Sequence, residues 1–274
     1  MHSNAVVHRD MHMRNILFQA PDLEWCSTKD LYTRLGEPQK ITAPGGNDQV
    51  DGPASPSYRV LPISIVTPCD RVTDVRVVIA DFGEALPQTA ERHQLNTPIL
   101  LQPPEAFFNE PLGPAADVWS LGCTIFEILT DGPLFEGLQP DGDDVLGETV
   151  SALGYLPKRW WDRWEARSEF FLEDGSWRKE MERLLDPWFR PLGDRLKKGR
   201  RVGEGPCEFD PQELACLEAL LKAMLTYEPS ERITASQAAS SEWMEGYDRK
   251  ALSAAWLMST TLARASGEVA RSGE

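Results

Sequence analysis

Between Asp117 and Thr130 apolar side chains fall on nearly every face of a helix, namely Val118, Trp119, Leu121, Cys123, Ile125, Phe126, Ile128 and Leu129, and Asp131-Gly132-Pro133 supplies a stop. A helix that is apolar all round offers no face to water, so the rest of the chain must wrap around it. The stretch Val118 to Leu129 is shorter than the roughly 20 residues a bilayer requires, and it carries Glu127. It predicts a buried central helix, not a membrane span.

The remaining pattern is mainly α with a small β component. Glu213 to Leu225 sets Leu214, Leu217, Leu221, Met224 and Leu225 at helical spacing, and Thr234 to Met244 reads as another helix after a turn at Pro229. Trp160, Trp161, Trp164, Trp177 and Trp188 are interleaved with charged residues in 144–190, which predicts amphipathic helices whose rings pack a core. Short apolar runs at Ala5-Val6-Val7, Ile16-Leu17-Phe18 and Val75 to Ala80 predict strands. Residues 19–70 have weak periodicity and many turn formers, and read as a partly flexible insertion; Ser259 to Glu274 is small and polar enough to fray.

Composition narrows the function. With 43 acidic against 28 basic side chains the net charge is −15, which argues against non-specific nucleic-acid binding. The five cysteines are odd in number and form no CxxC pair, so neither a disulfide framework nor a zinc site is expected; a reducing compartment, cytoplasmic or nuclear, fits them. No apolar leader segment is visible at Met1 to Asp10.

Chemistry concentrates in two loops. The polar stretch His8 to Asn15 lies between two predicted strands and reads HRD-x4-N, and the run Val75 to Ala80 ends in Asp81-Phe82-Gly83, where Gly83 permits a turn that a side chain would obstruct. Pro103-Pro104-Glu105 follows, with Glu105 24 residues after Asp81; Asp117-Val118-Trp119-Ser120-Leu121-Gly122 begins 12 residues later, and Arg232 stands in the helix-rich end. This ordered set resembles the eukaryotic-type protein kinases over about residues 1–244, with the insertion 19–70 inside that span and 245–274 as a tail.

The resemblance implies a kinase-like large lobe that uses ATP and Mg2+ on a protein substrate. Phosphoryl transfer needs positioning and charge neutralisation more than covalent help. Asp10 would orient the substrate hydroxyl and accept its proton, with Arg9 and His12 beside it. Asn15 and Asp81 would hold magnesium, an oxygen-seeking cation, with Phe82 and Gly83 completing the loop. Glu105 and Arg232 would form a buried structural ion pair. Asp117 would brace the catalytic loop or cap its helix. In the activation segment Thr89 and Thr97 are the hydroxyls; Thr97 would touch the loop near Asp10, while Arg9 would meet a phosphorylated segment or stand in solvent.

Several departures qualify that resemblance. His12 stands where Ser/Thr kinases carry lysine, and an imidazole replaces that charge only when protonated. Arg14 resembles the tyrosine-kinase loop, whereas Trp119-Ser120-Leu121-Gly122-Cys123 favours the Ser/Thr side. Asn15 and Asp81 are 66 residues apart. Leu31 to Pro38, Leu153 to Pro157 and Trp160-Trp161 resemble divergent SR-protein-kinase relatives, whose basic Ser/Arg-rich substrates would suit the acidic balance and the group Asp141, Asp143, Asp144 and Glu148; a solvated acidic loop is the plainer reading. The basic run Arg195 to Arg201 reads as a solvated loop, or else as a nuclear address or partner patch. No Gly-rich loop or strand lysine precedes His8, so the small lobe is expected to be missing, supplied separately or lost; Met1 to Asn4 resembles the tail of the helix that leads into the catalytic loop, and the apolar surface that helix would cover is expected to be open. A non-catalytic kinase-like interaction module and a small-molecule phosphotransferase are the alternatives.

Overall fold

In this computed structural model residues 1–18, 26–42, 58–62, 76–90, 95–130, 132–137, 139–178, 189–197, 200–202, 205–207 and 209–248 are described. The predicted fraying tail, Trp188 and Cys69 lie outside them. The chain divides into two compact units, one of Met1–Leu17 with Ile79–Ala255 and one of Phe18–Val78 with Trp256–Glu274.

The elements in chain order are β1 (Val6–Val7), β2 (Ile16–Phe18), α1 (Thr28–Leu35), β3 (Lys40–Thr42), β4 (Tyr58–Val60), β5 (Val77–Ile79), β6 (Leu86–Pro87), α2 (Pro104–Phe107) and α3 (Pro114–Thr130). There follow α4 (Gly142–Leu153), α5 (Lys158–Trp161), α6 (Arg167–Phe170), α7 (Leu192–Leu196), β7 (Arg200–Val202), β8 (Gly205–Cys207), α8 (Pro211–Met224) and α9 (Ala235–Ala239). The sheets are two-stranded pairs, β1 with β6, β2 with β5, β3 with β4 and β7 with β8. In the first, Val6 faces Pro87 and Val7 faces Leu86 in antiparallel register.

The core of the first unit is built on α3. Trp119 and Cys123 have no solvent exposure, and Leu217, Leu221 and Met224 of α8 pack with them. The helices meet closely at Gly122, where a Cβ would stand 3.2 Å from both Met224 Cβ and Leu225 Cδ2. Since α3 begins at Pro114, a residue suited to the first helical position, Asp117 is its fourth residue and does not cap it. Burial pushes the Cys123 thiol far above its ordinary value, leaving it a small core hydrophobe.

A second aromatic core holds Trp160, Trp164, Phe170 and Phe171, with Phe108 stacked on Trp160 at 5.4 Å. Within 144–190 the helix α4 runs to Leu153, but the described stretch around Trp160, Trp161, Trp164 and Trp177 does not form the amphipathic helices its pattern suggests. That stretch holds the single turns α5 and α6 and an isolated bridge between Phe171 and Trp177, because rings that pack from many directions stabilise the chain without a helical repeat.

Two further expectations need correction. Helix α9 ends at Ala239, and a turn at Ser240 and Ser241 separates it from a π-helical Met244–Asp248. The Ser241 hydroxyl accepts the Met244 amide at 3.4 Å, the local competition by which serine interrupts helices. Strand β5 is shorter than the apolar run and its three residues are exposed. In the second unit, α1 occupies part of the turn-rich region, started by a capping box in which Ser27 and Asp30 exchange hydrogen bonds.

The acidic group Asp141, Asp143, Asp144 and Glu148 is not a solvated loop. Asp141 Oδ1 accepts the amides of Asp143 and Asp144 at 3.0 Å each and starts α4, while Asp143 Oδ1 accepts from Trp164 Nε1 at 2.7 Å. Glu148 is 1% exposed and its Oε2 lies 3.0 Å from Arg190 Nη2 and 2.9 Å from Arg195 Nη1. Arg195 therefore belongs to the interior, and desolvation holds its guanidinium below the ordinary value against the opposing pull of Glu148. The basic run it opens is not uniformly solvated. Among the described residues no helix is long and apolar enough to cross a membrane.

Candidate active site

The loop His8 to Asn15 leaves β1, and its backbone is held by a side chain of α3. Asp117 Oδ2 accepts the amide of His8 and Oδ1 the amide of Arg9, each at 2.8 Å. Arg9 has φ 70, a left-handed conformation that costs a non-glycine residue about 1–3 kcal/mol when imposed by its surroundings. Here the imposing groups are visible, because the Arg9 carbonyl also accepts from Thr97 Oγ1 at 2.7 Å. Arg9 is 3% exposed, so the reading of a solvated arginine does not hold.

That clamp sets the direction of Asp10. Asn15 Nδ2 donates to Asp10 O at 2.9 Å and to Asp10 Oδ2 at 3.2 Å, and His12 Nε2 lies 3.4 Å from the same Oδ2. Asp10 Oδ1 is buried and has no hydrogen-bond donor among the described residues. His12 starts the short 3-10 turn Met13–Asn15, its Nδ1 accepting the Arg14 amide at 3.2 Å. An accepting Nδ1 carries no hydrogen, so the ring hydrogen of His12 is on Nε2, toward Asp10.

His8 joins this loop to the second one. Its Nδ1 accepts the Asp10 amide at 3.3 Å, which places its hydrogen on Nε2, 3.0 Å from the Ala80 carbonyl oxygen. The Ala80 amide donates to Asn15 O at 2.8 Å, and the Phe82 ring meets the His8 ring edge-on at 4.8 Å. Asp81, between them, has φ 61 and starts the 3-10 turn Phe82–Glu84, its Oδ1 accepting the Gly83 amide at 3.4 Å. The left-handed residue of this turn is thus Asp81 and not Gly83. Gly83 still matters, since a Cβ there would lie 3.2 Å from Asp81 Oδ1.

In the segment that follows, Thr89 is exposed in a turn and Thr97 is 3% exposed. Gln102 Nε2 donates to Thr97 O at 2.7 Å and fixes the residue that holds Arg9. Glu105 and Arg232 form a buried bidentate pair, Nη1 to Oε1 at 2.8 Å and Nη2 to Oε2 at 3.0 Å. Arg232 also donates to the carbonyls of Ala115, Thr226 and Tyr227 and lies over the Trp119 ring, so the pair ties α2 and the start of α3 to the turn after α8. It stands apart from the loop chemistry.

Sequence reasoning passed over two members of this arrangement. Gln102 had no motif to mark it. His2 donates from Nε2 to Asp117 Oδ2 at 2.8 Å across 115 positions, a pairing that only the fold brings together.

The Protein kinase domain family model matches residues 69–244, more than half of the 274-residue chain. The chain is 30% identical over 171 residues to "Probable serine/threonine-protein kinase dyrk2" of Dictyostelium discoideum, covering 61% of this chain and 17% of that protein. It is 30% identical over 148 residues to "Probable serine/threonine-protein kinase sky1" of the same organism, covering 52% and 21%. Against "Serine/threonine-protein kinase spk-1" of Caenorhabditis briggsae it is 26% identical over 232 residues, covering 79% and 18%. The chain thus spans about a fifth of the length of these curated relatives. The match includes Asp81, Thr97, Glu105, Asp117 and Arg232, and the preceding loop is bonded to it through Asp117 and Thr97. With that span matched, the chain belongs to the protein kinase domain family.

Proposed function

We propose that this chain carries the catalytic loops of an ATP- and Mg2+-dependent protein serine/threonine kinase of the SR-protein-kinase-like kind, acting in the cytoplasm or nucleus. The observation that carries the reading is the state of Asp10. One carboxylate oxygen is engaged by Asn15, and the other is buried with no donor among the described residues. A buried acceptor left unpaired costs about 1–3 kcal/mol, so the carboxylate keeps an unmet demand for a donor, and its side chain, 16% exposed, is open for a substrate hydroxyl to approach. Asp10 then orients that hydroxyl and takes its proton as the oxygen attacks phosphorus.

Asn15 and Asp81 suit magnesium. The Asn15 amide nitrogen is committed to Asp10, which turns its oxygen to the other side, and Asp81 uses Oδ1 for the Gly83 amide and keeps Oδ2. One amide oxygen and one carboxylate are a small donor set of the sort this cation uses alongside substrate phosphates and water. When bound, magnesium neutralises charge on the phosphate oxygens. The protein's own part is to hold Asn15 against Asp10 and to join Ala80 to His8 and Asn15, so that the two loops share one geometry. We assign basic Ser/Arg-rich proteins as substrates on the net charge of −15 and on the resemblance of Leu153 to Pro157.

The test is transfer of the γ-phosphate from Mg-ATP to Ser/Arg peptides, with acidic serine and tyrosine peptides in parallel. Transfer to the basic peptide that falls about 100-fold or more in Asp10→Asn supports the reading. Transfer that is absent, or unchanged by that substitution, overturns it in favour of a non-catalytic module.

A further inference from the structure

Arg178 reaches back to the turn α6 from the far side of the Phe171–Trp177 bridge. Its amide donates to Phe170 O at 2.9 Å and its side-chain Nε to Ser168 O at 2.5 Å. Arg178 is exposed, and its Nη1 and Nη2 have no partner among the described residues. A planar guanidinium fork, the geometry that grips phosphate with two parallel bonds, is therefore held against the backbone of Ser168 with its prongs unused.

Ser168 is exposed as well, and its hydroxyl has no partner among the described residues. The nearby Ser176 differs on that point, because its Oγ donates to Asp174 Oδ1 at 2.6 Å and a phosphate there would meet a carboxylate. Arg167, just before Ser168, is already committed: its Nη1 donates to Trp161 O at 2.7 Å and its guanidinium lies 5.1 Å from the centre of the Trp161 ring. Glu165 and Glu169 stand three positions before and one after Ser168 and oppose further negative charge. Reception of an anion at this turn thus falls to Arg178.

We propose that Ser168 is a phosphorylation site whose phosphate is received by Arg178. In the transfer Ser168 Oγ attacks the γ-phosphorus of Mg-ATP held by a protein kinase; the O–P bond forms, the bond from that phosphorus to the β,γ-bridging oxygen breaks, ADP leaves, and the hydroxyl proton passes to the base of that kinase. Arg178 Nη1 and Nη2 then donate to the phosphate, which adds a charge-assisted tie between α6 and the bridge strand to the two backbone ties already there. Assignment of the transfer to a second copy of this chain rests on the kinase reading above, in which serine beside arginine is the substrate; the site itself does not.

Tandem mass spectrometry of the full chain tests the site after incubation with Mg-ATP alone and with Mg-ATP plus a eukaryotic cell extract, with Asp10→Asn treated in parallel. Phosphate on Ser168 is expected, and its loss in Asp10→Asn. Phosphate that does not depend on Asp10 supports the site and assigns it to another kinase, whereas Ser168 unmodified in both incubations overturns the proposal. Phosphorus NMR of the full chain carrying phosphoserine at 168, installed during translation, reads the receiving role. The second ionisation of the phosphate, ordinarily near pH 6, is expected at least about 0.5 pH lower than in the same chain with Arg178→Ala, with Arg178→Lys between them. A midpoint unchanged by Arg178→Ala overturns the assignment of Arg178. That titration involves no kinase, and the extract supplies one independently of this chain, so this proposal and the kinase reading fail separately.

Discussion

Asp117 Oδ1 accepts the amide hydrogen of Arg9 at 2.8 Å, and Arg9 is one of only four non-glycine residues with positive φ among those described. The two facts belong together, because a strained backbone persists only where its surroundings over-determine it. In Asp117→Asn the side chain keeps its shape but turns an NH2 group toward one of two amide donors and loses the charge. A loss of about 3 kcal/mol is expected, read as a lower urea midpoint at unchanged slope. An unchanged midpoint would show that the loop does not depend on this carboxylate.

Glu148→Gln is expected to act on stability and not on peptide affinity. Glu148 lies between Arg190 and Arg195, and replacing it with a neutral amide leaves two guanidiniums short of their buried counter-charge. Removing one partner from such a group costs about 3–5 kcal/mol. Differential scanning calorimetry would register the loss. A variant with wild-type stability but weaker binding of a basic peptide would instead place Glu148 on a surface.

The contrast between Glu148 and Val118 shows what could be read before the fold was known. Val118, Trp119 and Cys123 announce burial through their neighbours in the helix, and the polar run from His8 to Asn15 stands out between two apolar runs. Such signals are local. Glu148 sits in a visibly acidic stretch, and the arginines that make it an interior residue are 42 and 47 positions away. His2 and Asp117 are separated still further, and Asp143 reads as surface in the sequence although Trp164 donates to it. The helix Thr28–Leu35 is hidden for the opposite reason: its capping box is local, but the segment is mostly polar and none of its residues is buried, so few apolar side chains mark it.

Tyr227 makes stability fall in alkali. Its hydroxyl donates to Gly154 O at 2.6 Å with Thr149 O at 3.3 Å, and burial pushes its pKa far above the usual value of about 10. Below that usual value folded and unfolded chains both keep the proton and the contribution is complete. Above it the unfolded chain releases a proton that the folded chain retains, so stability declines by up to about 1.4 kcal/mol per pH unit from this group. Tyr227→Phe lacks the group. The stability advantage of the wild type over the variant is expected to hold constant to about pH 9.5 and to shrink by about pH 11, measured by urea denaturation. A gap that stays constant across that range would contradict the assignment.

His12 faces Asp10 where the family resemblance expects an ammonium. Its Nδ1 is occupied by the Arg14 amide at 3.2 Å, so a second ring proton requires that amide to move away, and the turn Met13–Asn15 loses its cap when the charge appears. The ring as it stands offers Asp10 Oδ2 a neutral N–H at 3.4 Å, long for a hydrogen bond. A lysine keeps its charge throughout the neutral range and brings a point cation to the transferred phosphate. His12→Lys is therefore expected to raise the rate of phosphate transfer several-fold relative to wild type. The measurement is kcat for a Ser/Arg peptide with Asp10→Asn as the blank. An unchanged kcat would mean that no charge at this position enters the reaction, and that His12 serves only to cap the turn behind Asp10.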